Sequence, residues 1–189
     1  MARRRRITYL VSGAVDIYPS HSVLRKSGRH VRHDNDVDES AARVLRGRNR
    51  FVIVAHGSDD GTIHWFKSDR GTSDRWLWVG MEKPPKNARV HLYACSAGTK
   101  LVPFLKECES FGHSNSVPMP VGRQRHVVLG FLDRADRALR RRTYDVDAWT
   151  KELGDYVNKA LDVESRKTRN ALLNVSLLLK LRRSLAYAD

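Results

Sequence analysis

Phe51-Val52-Ile53-Val54-Ala55-His56-Gly57 and Val90-His91-Leu92-Tyr93-Ala94-Cys95-Ser96-Ala97-Gly98 are two apolar runs, each ending in a residue that can do chemistry. Each run is about five residues long, rich in β-branched and aromatic side chains, and free of polar alternation, which is the pattern of a strand covered on both faces. If the two strands are parallel neighbours, their carboxyl ends lie on one edge of the sheet, where open α/β sheets bind ligands. His56 and Cys95 would then share a crevice. An imidazole beside a thiol favours the thiolate, which is the nucleophile. Alone, the cysteine reads as a small buried apolar group and the histidine as a turn residue. Their placement at the ends of matched strands points to a working pair. Acyl transfer also needs N–H donors aimed at the developing oxyanion, and the backbone amides of Gly57 and Cys95 are the candidates.

Further residues carry a resemblance. His56-Gly57-Ser58-Asp59-Asp60-Gly61-Thr62-Ile63 is similar to the His-Gly-acid-acid-Gly-apolar segment of caspases. The block order, apolar run with His-Gly and then apolar run with Cys, resembles the caspase-like cysteine peptidases, a group that includes metacaspases, separase-type enzymes and bacterial CHAT-domain proteases. The similarity covers Arg50 to Lys67 and Arg89 to Thr99. Around the cysteine, Tyr93-Ala94-Cys95-Ser96-Ala97-Gly98 departs from the Gln-Ala-Cys-Arg-Gly of caspases and looks more like the Ala-Cys-small-Gly of CHAT-type relatives. The resemblance implies a three-layer α/β/α sandwich with a mostly parallel central sheet. It also implies Cys95 as nucleophile, His56 as acid–base partner, a protein or peptide substrate, and no metal or other cofactor. Asp16, after the first strand, falls where such folds line the pocket for the substrate side chain. A carboxylate there would favour Arg or Lys; the competing reading is a solvated loop aspartate. Calcium dependence, known in some metacaspases, has no clear ligand cluster here beyond Asp59, Asp60 and Asp69.

The rest of the chain fits one domain with an appendage. It has 189 residues, 41% hydrophobic, with 35 Lys+Arg against 21 Asp+Glu and a net charge of +14. Such a field suits an acidic partner, nucleic acid or an anionic membrane, or serves solubility alone. Two cysteines do not make a disulfide scaffold, and a reducing cytoplasm suits a working thiol. The apolar start Ile7 to Val15 is short for a signal peptide and reads as a first strand, Ile7 to Val11. His21 to Asp38 reads as a surface loop, in which His30 and His33 lack the further ligands a metal site wants. Asp38 to Arg46 reads as a helix. Thr62 to Phe66 and Arg75 to Val79 read as a hairpin. Leu101 to Cys108 reads as a helix, Phe111 to Arg125 as a loop, and His126 to Leu132 as a further core strand. Residues 1–145 form the expected peptidase domain. Residues 146–189 form a basic helical segment, with a helix over Val146 to Leu161 and an amphipathic one over Asn170 to Arg183 that is too short and interrupted to span a bilayer.

Two other functions stay open. Ala94-Cys95-Ser96-Ala97-Gly98 fits a small-x-Ser-x-Gly nucleophile elbow with Ser96 central, but a serine α/β-hydrolase needs its catalytic histidine downstream, and only His113 and His126 follow. The basic clusters Arg3 to Arg6, Arg134 to Arg142 and Arg166 to Arg169 are also consistent with a nucleic-acid- or partner-binding scaffold on an inactive peptidase-like fold.

Overall fold

The computed structural model describes residues 6–12, 17–32, 50–57, 63–66, 74–77, 88–97, 109–122, 125–141, 143, 145–166 and 171–185. The two apolar runs become β3 (Arg50–Val54) and β7 (Arg89–Tyr93). They pair in parallel, Val52 against His91 and Val54 against Tyr93. With β1 (Thr8–Val11), β2 (His30–Arg32) and β8 (Glu109–Gly112) they form a five-stranded sheet of order β2-β1-β3-β7-β8, parallel at every pairing. The chain therefore starts at β1, steps outward to β2, returns to β3 and continues outward on the other side, which places the reversal of strand order between β1 and β3. The same strand order, with its reversal beside the first strand, occurs in doubly wound α/β sheets. A separate antiparallel sheet holds β4 (His56–Gly57), β5 (Ile63–Phe66) and β6 (Asp74–Leu77). The last two strands are the expected hairpin.

Register sorts the side chains of the main sheet. Tyr9, Val52, His91 and Phe111 lie in one row, and Leu10, Ile53, Leu92 and Gly112 in the next. Both rows are buried, so these strands lack alternation in sequence because neither face meets water. The face with Tyr9, Val11, Val52, Val54, Tyr93 and Phe111 packs into one cluster with four helices. These are α1 (Tyr18–Lys26), α2 (Arg125–Arg140), α3 (Val146–Ser165) and α4 (Ala171–Leu185). In α3, Asp145 caps the first turn by accepting from the Ala148 amide at 3.0 Å, and Trp149, Leu153 and Val157 face inward. In α4, Leu178, Leu181 and Leu185 join the same core, while Leu172 and Leu173 stay exposed. Among the described residues no helix is long and apolar enough to cross a membrane.

Three local expectations are corrected. His126 to Leu132 is the start of α2, not a strand. Its apolar positions continue at helical spacing through Val127, Val128, Phe131, Leu132, Ala135, Ala138 and Leu139, and the arginines between them occupy the wet face. His21 to Asp38 is not simply a surface loop, since most of α1 and all of β2 lie within it. Phe111 to Arg125 begins in β8, whose Ser110 and Phe111 are buried. The expected helices over 38–46 and 101–108 lie outside the described residues.

Candidate active site at the carboxyl edge

The register Val54 with Tyr93 carries the chain on both sides to the same height, so His56 and Cys95 leave the sheet as neighbours. His56 opens β4 and pairs with His64 of β5, and Gly57 pairs with Ile63. The contact between the two segments is made by backbone. A Cβ placed on Gly57 would lie 1.9 Å from the Cys95 carbonyl oxygen and 3.0 Å from the Cys95 amide nitrogen. Only a residue without a side chain allows that approach, and this is why glycine follows the histidine.

Cys95 is half-buried with a free thiol, and His56 is half-buried as well. Access with partial burial is the setting in which a thiol reacts. Near Cys95 stands Tyr93, the last residue of β7 and fully buried, whose hydroxyl donates to the Pro118 carbonyl at 2.5 Å. Burial pushes the Tyr93 phenol well above its ordinary value, and the charge of Cys95 raises it further. Tyr93 therefore stays protonated beside the thiol and pins the 113–120 segment against the site.

The next residue adds strain. Ser96 has φ +55°, the only positive φ outside glycine among the described residues, and Ala97 is already helical. The chain thus turns sharply from strand to helix directly after the cysteine, in a conformation that disfavours a side chain and that tends to cluster at active sites.

The remaining candidates separate. Asp16, and with it Asp59, Asp60 and Asp69, lies outside the described residues. His113 is fully buried and away from solvent, and His126 is exposed on the first turn of α2. His113 Nε2 sits 2.9 Å from His91 Nε2, and its Nδ1 2.8 Å from the Ser184 hydroxyl. That hydroxyl donates to the Leu181 carbonyl at 2.7 Å, so it accepts from His113 Nδ1–H. His113 Nε2 then accepts from His91 Nε2–H, and His91 Nδ1 is a buried acceptor with no partner. Burial pushes His91 down to about 3 and His113 well below its usual range, the latter helped by His91. Both rings are neutral and packed among Phe111, Tyr93 and Trp149. They tie β7 and β8 to α4 and are built for structure. Among the described residues no group of three His, Cys, Asp or Glu side chains is placed to hold a metal ion.

No protein-family model, curated protein or solved structure matches this chain. The functional reading therefore stands on the residues and their geometry.

Proposed function

We propose that the chain is a caspase-like cysteine peptidase, a three-layer α/β/α sandwich carrying basic C-terminal helices, with Cys95 and His56 as its catalytic pair. The observation that carries this reading is the approach of the Gly57 backbone to Cys95 at the carboxyl edge of β3 and β7. In the first step the Cys95 thiolate attacks the peptide carbonyl, a C–S bond forms, and the carbonyl electrons move to oxygen. The amides of Gly57 and Cys95 hold that oxyanion. His56 gives its proton to the departing amine as the C–N bond breaks. In the second step His56 takes a proton from water, the hydroxide attacks the thioester, and the C–S bond breaks to return the thiolate. Asp16 is proposed to select Arg or Lys on the substrate. A reducing compartment such as the cytoplasm keeps the thiol free.

Ser96 is the second reading, favoured by its positive φ after a strand and before a helix, the conformation of a nucleophile elbow. Against it, His113 is locked in the core and His126 sits on a helix.

Mass spectrometry of the protein treated with peptidyl electrophiles carrying Arg, Lys or Asp decides between them. The expected adduct is on Cys95, absent in Cys95→Ala and strongly reduced in His56→Ala and Gly57→Ala. An adduct on Ser96 would transfer the proposal to a serine hydrolase. Labelling of Cys95 that ignores His56 would remove the pair.

A further inference from the structure

The opposite edge of the main sheet carries a second concave site. Ile7, His30 and Arg50 stand at the amino ends of β1, β2 and β3, and with the last two turns of α2 they line a cleft of about 1000 Å³. It lies at the other end of the strands from Cys95. Five arginines and two aspartates contribute to its wall. The aspartates are already engaged. Arg29 reaches Asp133 and Asp136, gives its remaining donors to Tyr9, Ser27 and the Leu129 carbonyl, and is itself nearly enclosed. Three further arginines of the wall, Arg6, Arg137 and Arg140, are exposed to solvent.

A basic last turn is common in helices because it complements the carbonyl end of the dipole. That explains Arg137 and Arg140 by themselves. It does not explain why Arg6 and Arg50, from two different strand starts, converge on the same hollow. The cleft is as large as the larger small-molecule cavities, wider than one phosphate group fills. The basic side chains of its wall other than His30 are arginines, whose fork matches phosphate oxygens in a bidentate way. In sequence Arg6 is the last of four consecutive arginines, Arg3 to Arg6. Tyr9, the aromatic ring at the site, is 1% exposed and turned to Asp136, which offers no stacking platform for a base.

We infer that this arginine-lined cleft at the amino edge binds the phosphate backbone of a nucleic acid without reading its sequence. Its position leaves the Cys95 edge open, so a bound strand and a reacting peptide occupy different ends of the sheet. Contacts to phosphates alone make affinity steeply dependent on salt and indifferent to base order.

Fluorescence anisotropy with labelled mixed-sequence oligonucleotides of about 20 residues, single-stranded and duplex, DNA and RNA, tests this across a salt series. Arg137→Glu/Arg140→Glu reverses two exposed cleft charges. Arg182→Glu/Arg183→Glu reverses two exposed charges on α4 and changes net charge equally. The cleft variant is expected to bind at least tenfold more weakly at about 100 mM salt, with a log–log salt slope smaller by about 2, close to 0.9 for each phosphate released. The α4 variant is expected to lose less than about threefold. Arg6→Ala/Arg137→Ala, which leaves α2's end less disturbed, should fall between them. Equal losses in the cleft and α4 variants would reduce the effect to net charge and overturn the site. So would undiminished binding by the cleft variant, or no binding by the wild-type chain to any of the four probes. Electrophile labelling of Cys95 should be the same in all variants, which keeps this test separate from the peptidase proposal.

Discussion

Two buried polar networks brace the sheet, and they are built on opposite electrostatic plans. At β7, β8 and α4 the chain from His91 through His113 to Ser184 is neutral, and each ring hands one proton along until the Leu181 carbonyl takes the last. At β1 and α2 the group Tyr9, Arg29 and Asp136 is ionic, with the Tyr9 hydroxyl donating to Asp136 at 2.7 Å and Arg29 Nε donating to Tyr9 at 3.1 Å. The guanidinium also lies over the Tyr9 ring, 5.5 Å from its centroid. A neutral network avoids the cost of desolvating charge but leaves the bare His91 Nδ1. The ionic one engages each of the three guanidinium nitrogens of Arg29 and accepts the desolvation of Arg29 and Asp136. The buried His91 and His113 are packing elements of this fold, whereas His56 is half-buried at the carboxyl edge of the sheet.

Breaking the ionic network should cost most. Arg29→Ala leaves Asp136 buried beside Tyr9 with only the charge of Arg140 acting on it, and the expected loss is about 3–5 kcal/mol in urea denaturation at neutral pH. A loss under about 1 kcal/mol would mean that water reaches Asp136 and the network is not a buried one.

The pH profiles should then run in opposite directions. In the unfolded chain His91 takes up a proton near 6.5, but in the folded protein only near 3. Between those values the unfolded state binds more protons, so the contribution of His91 is full above about 6.5 and is lost as pH falls. His113 acts in the same sense. Asp136 is raised, chiefly by burial, although Tyr9 and Arg29 hold it down in part. Its folded form keeps a proton just above 3.8 that the unfolded chain has lost, so its contribution is full below 3.8 and declines as pH rises. His91→Gln, which retains a donor for His113, should flatten the rise of stability between about pH 4 and 6 by about 1.4 kcal/mol per pH unit. Asp136→Asn should steepen the same rise. Denaturation midpoints of the three proteins across that range measure both changes, and slopes that move together would refute the contrast.

Ser184→Ala probes the far end of the neutral network. It strands the His113 Nδ1 donor in the core, at an expected cost of about 1–3 kcal/mol. A neutral outcome in thermal melting would place the helix α4 contact, rather than the hydroxyl, in charge of docking. The smallest effect belongs to the surface. Lys151 and Asp155 pair at 2.7 Å on exposed α3, and Lys151→Ala should change stability by less than about 0.5 kcal/mol. That sets the scale against which both networks are judged.

Legibility followed the range of the interactions involved. β3, β7, the β5–β6 hairpin and α3 were readable because each has its own periodicity or turn residues within a few positions. α2 was misread because Val127, Val128, Leu129, Phe131 and Leu132 form a short apolar run, and such runs do not distinguish strand from buried helix. Only the continuation through Ala135 and Leu139, hidden among arginines, gives the helix away. β2 and β8 were missed as strands because both are short edge strands with polar residues, and their strand character comes from pairing with β1 and β7. The cysteine, histidine and glycine of the candidate site were visible as residue types at strand ends. The positive φ of Ser96 and the Tyr93–Pro118 clasp beside them were not, and the clasp depends on where the 113–120 segment returns.

By itself, then, the order of amino acids determined the parallel α/β architecture and the two residues that end its central strands, because hydrophobic runs and glycines act over neighbouring positions. Tertiary structure alone decided that Gly57 touches the Cys95 backbone, that His113 is enclosed while His56 is not, and that arginines from two strand starts and a distant helix line one cleft. Those outcomes rest on register and packing between segments far apart in the chain, where no local pattern specifies which side chain meets which.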